Sequence, residues 1–312
     1  MSTAFLFPGQ GAQHVGMGQD LCRSHSEAAA CFEQAEAITG LPLRRLCFEG
    51  PEDDLARTDI SQPAIFTMSM AMLRVVEAIT GDAMPVANRV AGLSLGEYTA
   101  LCAAGAISFE TGVDLVTQRG RYMQAAAEAS DGGMLCLLGA DEVVAEAVCE
   151  KAAGAGRIQP ANFNCPGQIV LSGETAACRT AAEVAEGCGA SGVVALKVAG
   201  AFHSPLMQPA ADRLAEALAA ADIRPPAVEV LSNVTGEPHD GDADAIRRRL
   251  LEQLTRPVLW QRNCEYLLNA GVGTFLEMGP GRVLAGLMRR ISRRTRVTSL
   301  NGLAAVEAYV NA

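Results

Sequence analysis

Short apolar runs alternate along the chain with longer stretches whose apolar side chains return every three or four residues, a pattern that predicts strands separated by amphipathic helices. Ala4 to Phe7, Val90 to Leu93, Val228 to Ser232, Thr274 to Leu276 and Val297 to Leu300 are the predicted strands. Among the helical stretches, Gln62 to Ile79 carries Met68, Met72, Leu73 and Val76 at helical spacing, so these side chains are predicted to pack in the core rather than to bind a ligand. Strands alternating with helices over most of a chain define the α/β class with a largely parallel sheet.

The middle of the chain breaks this rhythm. From Gly133 to Val198 the pattern reads strand (Met134 to Leu138), helix (Asp141 to Ala153), strand (Ile158 to Phe163), strand (Gln168 to Ser172), helix (Thr175 to Cys188) and strand (Val193 to Val198). That β-α-β-β-α-β order is a ferredoxin-like unit. The predicted organisation is one large domain built from residues 1–128 and 200–312, with residues 129–199 inserted as a small subdomain. Such a junction leaves a cleft, and clefts of this kind are common ligand sites. Pro225-Pro226 and the acidic segment His239 to Asp244 are predicted surface connections, with His239 in an exposed Pro-His-Asp-Gly turn.

Composition narrows the function classes. The chain has 312 residues, 49% of them hydrophobic, enough for a full core. Its ten cysteines include no CxxC pair, and Met1 to Phe7 runs straight into a Pro-Gly turn rather than a signal sequence. The expected compartment is therefore the reducing cytoplasm. No uninterrupted apolar run reaches the roughly 18 residues of a bilayer crossing, so no membrane anchor is expected. A formal net charge of -10 argues against a nucleic-acid partner. An acidic protein with anionic partners must gather its cations locally, and Arg282, Arg289, Arg290, Arg293, Arg294 and Arg296 are the best candidates. A solvated helix end accounts for the same run equally well.

The strongest chemical signal is Gly92-Leu93-Ser94-Leu95-Gly96, which follows an apolar strand and opens a helix near Glu97. A sharp strand-to-helix turn of this kind exposes a serine hydroxyl, and small residues on both sides permit the tight backbone. A serine needs a base, and histidine is the usual one. His14 and His25 lie in the N-terminal loop and helix, whereas His203 follows the run Val193 to Val198 within Ala199-Gly200-Ala201-Phe202-His203-Ser204-Pro205 and precedes a helix. His203 is the candidate base.

With these residues in view, the whole chain resembles the malonyl-CoA:acyl-carrier-protein transacylases of fatty acid and polyketide synthesis. The matching segments are Phe7-Pro8-Gly9-Gln10-Gly11-Ala12-Gln13, the Ser94 turn, Gln118-Arg119-Gly120, Asn162-Phe163-Asn164-Cys165-Pro166-Gly167-Gln168, Phe202-His203 and Glu277-Met278-Gly279-Pro280-Gly281. The resemblance implies an α/β-hydrolase-like domain with a ferredoxin-like insertion. It implies a malonyl ester on Ser94 formed and discharged in a ping-pong sequence, with His203 as base, oriented by the backbone carbonyl of Gln253 in place of an acidic residue. The oxyanion donors would be the backbone N–H groups of Gln10 and Leu95.

Arg119 falls at the position that meets the malonyl carboxylate, where a guanidinium gives two parallel hydrogen bonds and keeps its charge when desolvated. Phe202 falls at the position that marks malonyl over methylmalonyl, and Arg289 and Arg290 are the residues offered for carrier-protein docking. The expected partners are malonyl-CoA, as substrate, and a holo acyl carrier protein. The expected state is a monomer, with no organic cofactor; no His/Cys/Asp cluster has metal-ligand spacing, so no metal is expected. Two departures stand out. Leu93 replaces the histidine common before the nucleophile, and Ser191-Gly192 replaces a basic pair found in some relatives. Two other readings use the same residues: an acyl-thioester hydrolase with water as acceptor, and a non-catalytic carrier-protein binding module.

Overall fold

The structure, a computed structural model, describes residues 2–81 and 84–311. Its strands are β1 (Ser2–Phe7), β2 (Ala87–Gly92), β3 (Gly132–Leu138), β4 (Ile158–Cys165), β5 (Gln168–Glu174), β6 (Gly192–Ala195), β7 (Glu229–Val230), β8 (Val272–Met278) and β9 (Val297–Leu300). Five of them form a sheet in the order β7-β2-β1-β8-β9, and every pairing in it is parallel. β1 is central, with Phe5 opposite Val90 on one side and Leu276 on the other. Strand order therefore reverses at β1, and the carboxyl ends of β1 and β2 border the crevice where open α/β sheets bind ligands.

Helices cover this sheet. The helix Thr58–Thr80 contributes Met68, Met72, Leu73 and Val76 to the main core, all buried as the sequence pattern predicts. It packs against the helix Phe109–Glu128 at very close range: a Cβ on Gly112 would collide with the Phe66 ring, and one on Gly120 would sit 2.7 Å from Thr58 O. Thr58–Thr80 is also the one helix among the described residues long and apolar enough to cross a membrane, although charged residues interrupt it and 72% of its apolar window is buried in the fold.

The inserted sheet has the order β4-β5-β3-β6 and is antiparallel throughout, as a ferredoxin-like unit requires. Alternation along β3 explains its two-sided burial. Leu135 and Leu137 face the helices Glu142–Ala152 and Thr175–Val184, while Met134 and Cys136 join the core of the large part. Two backbone hydrogen bonds tie the parts together, from Phe163 N to Val258 O at 2.9 Å and from Val258 N to Ala161 O at 2.8 Å.

Several elements are shorter than their sequence patterns. β6 stops at Ala195, because Val198 N turns back to Leu196 O at 3.1 Å and the chain leaves the sheet toward the large part. β7 keeps only Glu229–Val230 of Val228 to Ser232, since the segment bends at once into a turn closed by the Leu231–Pro238 bridge. The second inserted helix ends at Val184 and continues as a separate single turn, Glu186–Cys188.

Candidate active site

Ser94 sits between β2 and the helix Leu95–Ala103 with φ 51° and ψ -105°, a conformation that side chains rarely adopt. The surroundings explain the neighbouring glycines. A Cβ on Gly92 would collide with the backbone of Gly96, one on Gly96 with Phe7 O, and one on Gly9 with Leu93 O. The turn is clamped from outside by Asn233, whose Oδ1 accepts from Ser94 N–H at 2.6 Å while its Nδ2 donates to Gly92 O at 2.7 Å.

His203 Nε2 lies 2.9 Å from Ser94 Oγ, and its Nδ1 lies 2.6 Å from Gln253 O. A carbonyl only accepts, so Nδ1 carries the ring proton and the Nε2 lone pair faces the serine hydroxyl. The carbonyl is free for this because Gln253 is in the last turn of the helix Ala243–Thr255 and the residue four positions on is Pro257, which has no N–H to offer. Gln159 of the inserted sheet donates to His203 O at 2.9 Å and Thr255 O at 3.1 Å, fixing the loop that bears the base. Burial, and then the positive charge of Arg119, push the His203 pKa down to about 4, partly offset by the Gln253 acceptor. The His203 ring is thus neutral near pH 7 in the folded protein.

Arg119 projects from the helix Phe109–Glu128 and is 1% exposed. Its Nη1 donates to Gln62 Oε1 at 2.6 Å; its Nη2 donates to Gln253 Oε1 at 2.9 Å and to Ser94 Oγ at 3.0 Å. The guanidinium stands 5.5 Å from the centre of the Tyr98 ring. Burial pulls its pKa below the ordinary value, with Tyr98 and Glu97 acting in the opposite sense. No carboxylate among the described residues pairs with it directly, so a buried cation here is answered only by neutral acceptors.

A cleft of about 350 Å³ opens at the Ser94–His203 pair, lined on the large part by Gln10, Leu93, Ser94, Phe202 and His203 and on the inserted part by Asn162, Gln168 and Lys197; Arg119 lies behind this lining and meets it at Ser94 Oγ. The backbone N–H groups of Gln10 and Leu95 make no hydrogen bond among the described residues, and both flank Ser94 at the carboxyl ends of β1 and β2. Leu93 packs partly buried beside the cleft, taking no part in the Ser94–His203 contact. Phe202 is buried and faces the cleft. Arg289 and Arg290 lie apart from this centre, exposed on the helix Val283–Ile291, whose Val283 and Leu287 line the cleft. Arg290 Nη2 reaches Pro166 O and Gly167 O at 3.3 and 3.4 Å, across to the β4–β5 turn.

The structure corrects one sequence expectation and adds residues that the pattern did not reveal. The His239 side chain is fully buried, because the turn folds back on the sheet with His239 N–H donating to Val230 O at 2.8 Å. Its Nε2 meets Glu97 Oε1 at 2.7 Å, and that carboxylate is itself fully buried behind Ser94. Gln62, Asn233 and Glu97 complete the polar surroundings. Glu97 stands in the first turn of the helix after Ser94, an ordinary place for a solvated carboxylate, so the sequence gives no hint of its burial.

A strand-turn-helix serine, a neutral histidine held by a carbonyl, and two free N–H groups beside a buried arginine define an acyl-transfer site, and the chain belongs to the acyl transferase domain family, whose model matches residues 4–301. Relatives within that family include malonyl CoA-acyl carrier protein transacylases. The protein of that name from Bacillus subtilis is 41% identical over 310 residues, covering 98% of this chain and 96% of its own. The solved malonyl CoA-acyl carrier protein transacylase of Coxiella burnetii superposes with a TM-score of 0.95 at 40% identity, covering 100% of this chain and 97% of that one. A malonyl-transacylase solved in complex with its holo type II PKS acyl-carrier protein gives a TM-score of 0.94 at 37% identity, covering 100% and 99%.

Proposed function

We propose that this acyltransferase moves malonyl groups from coenzyme A to the phosphopantetheine thiol of an acyl carrier protein, in two steps through an ester on Ser94. The observation that carries this reading is Arg119: a buried guanidinium, without a directly paired carboxylate, whose Nη2 lies 3.0 Å from the Ser94 hydroxyl. A neutral acyl group has no use for such a cation, whereas the free carboxylate of malonyl supplies its missing partner.

In the first step Ser94 Oγ bonds to the thioester carbon while its proton passes to His203 Nε2. The negative charge on the former carbonyl oxygen falls to the N–H groups of Gln10 and Leu95, at the positive end of the helix Leu95–Ala103. Collapse breaks the carbon–sulfur bond, and the departing coenzyme A sulfur takes the proton from His203. The second step runs this sequence backwards with the pantetheine thiol, which gives its proton to His203, forms the new thioester and returns the proton to Ser94. No redox change occurs, and no organic cofactor or metal enters the sequence.

Phe202 fills the space that an α-methyl branch would need. Lys197, a cation in the cleft lining, is suited to a phosphate of the incoming pantetheine arm. Arg289 and Arg290 present positive charge to an acidic carrier. The protein works as a monomer in the cytoplasm, a setting consistent with ten cysteines that are all free. The supply of malonyl thioesters places it in fatty acid or polyketide synthesis.

Intact-protein mass measurement after brief exposure to malonyl-CoA tests the reading. A malonyl adduct is expected on the natural sequence, absent from Ser94→Ala, and cleared on adding a holo carrier protein. An adduct lost equally fast to water alone would instead make the protein a hydrolase, and failure of any adduct to form would leave a binding role.

A further inference from the structure

The carboxylate of Glu97 is buried with three partners. Its Oε2 accepts from Asn233 N–H at 3.1 Å and from Gln253 Nε2 at 2.6 Å, and its Oε1 meets His239 Nε2 at 2.7 Å. The oxygen of that same Gln253 side chain accepts from Arg119 Nη2 at 2.9 Å. One amide therefore stands between a buried anion and a buried cation, its NH2 toward the carboxylate and its oxygen toward the guanidinium. Turned over, it would set donors against donors and an oxygen against an anion. The charges at its two ends fix its orientation, and in a low-dielectric interior that preference is strong. Arg119 in turn reaches Ser94 Oγ, so the chain of contacts runs His239, Glu97, Gln253, Arg119, Ser94 without a break.

We propose that Glu97, acting through the side-chain amide of Gln253, is the positioning residue that holds the Arg119 guanidinium where the malonyl carboxylate arrives, with His239 anchoring Glu97. The inference rests on the reading that Arg119 receives that carboxylate. An arginine side chain has many rotamers, and binding a planar carboxylate through two bonds requires one of them. Gln62 holds Nη1, but only the Glu97-polarised amide and the nucleophile hold Nη2. Without Glu97 the amide NH2 keeps only the weaker acceptors Ser94 O at 3.0 Å and Asn233 Oδ1 at 3.4 Å, and the guanidinium loses the charge that fixes its acceptor. Glu97 also accepts from the main-chain N–H of Asn233, whose side chain clamps the Ser94 turn, but it makes no contact with Ser94 Oγ or His203, so a neutral acyl group depends on it less.

The test compares kcat/KM for malonyl-CoA and acetyl-CoA in the full chain for Glu97→Gln, Gln253→Met and Arg119→Ala, with thermal melting of each. Gln253→Met keeps the main-chain carbonyl that meets His203, and it carries the test if Glu97→Gln does not fold. The malonyl-to-acetyl ratio is expected to drop roughly tenfold or more in both variants, the size of a lost hydrogen bond to a charged group, with the loss chiefly in KM for malonyl-CoA. Added to Arg119→Ala, neither change lowers the ratio further. Equal losses with both substrates, or losses that add to Arg119→Ala, overturn the inference. If Arg119→Ala destroys selectivity while the other two variants keep it, this inference alone fails; if Arg119→Ala keeps selectivity, the reading of Arg119 fails first.

Discussion

Ser94 and His203 are the two non-glycine residues with positive φ among the described residues, at 51° and 55°, and their side chains meet at 2.9 Å. Both ends of the proposed proton transfer thus sit on unfavourable backbone. Each is held there by polar contacts from elsewhere in the chain, Asn233 on the serine turn and Gln159 on the histidine loop.

That strain is measurable. Relief of the positive φ at position 94 is worth about 1–3 kcal/mol, and the greater freedom of glycine in the unfolded chain takes back up to about 1 kcal/mol. Ser94→Gly is therefore expected to be more stable than Ser94→Ala by about 1 kcal/mol in urea titrations, with neither variant forming an adduct. Equal stabilities would mean that the strain is no larger than the freedom glycine regains in the unfolded chain.

Acid sensitivity follows from His203. Its pKa is about 4 in the folded protein against 6.5 ordinarily, so between those values the unfolded chain binds a proton that the folded one does not. Stability contributed by the neutral ring is complete above pH 6.5 and is lost as pH falls to 4, on the order of 3 kcal/mol in all. Urea titrations at the two ends of that window should show His203→Gln losing less than the natural sequence by about this amount. In the same way kcat/KM for malonyl-CoA should stay level well below pH 6.5. Because the bound carboxylate cancels the Arg119 charge, the acid limb of kcat should lie at higher pH than that of kcat/KM.

Removal of the Phe202 ring opens the space beside His203. Phe202→Ala is expected to raise methylmalonyl use relative to malonyl by about tenfold, the usual scale for one methyl group in an apolar pocket. Competition between the two thioesters for adduct formation reads this directly, and an unchanged ratio would remove Phe202 from the selectivity account.

Charge reversal at the exposed Arg289 separates the two half-reactions. Arg289→Glu should raise KM for the carrier protein several-fold, most at low ionic strength, while malonylation of Ser94 from coenzyme A keeps its rate. A slower first half-reaction would place the residue in nucleotide binding instead.

The succession of strands and helices along the chain, the inserted β-α-β-β-α-β unit and the Ser94 turn were legible because each is enforced locally. A parallel core strand must be apolar throughout, and a serine at φ 51° with its neighbours in backbone contact leaves room only for Gly92 and Gly96. Glu97 and His239 were not legible. An acidic residue in the first turn of a helix reads as a solvated partner of the helix dipole, and a histidine between proline and aspartate reads as an exposed turn. Their burial arises from a pairing across 142 positions that neither local sequence encodes. The side chain of Gln253 was hidden for a related reason: the resemblance assigns its carbonyl, and only the folded chain brings its amide between Arg119 and Glu97.

The collisions that fix Gly9, Gly92 and Gly96 press the turn after β1 against the turn after β2, main chain upon main chain. Ser94 and the N–H groups of Gln10 and Leu95 are carried by these two turns, so the proposed bond-making apparatus is written in backbone geometry that few substitutions can alter gradually. The proposed recognition of the acyl group rests instead on Arg119, Phe202 and the amide behind them, all replaceable one side chain at a time. A lineage built on this frame can change which acyl group it carries while inheriting its chemistry unchanged.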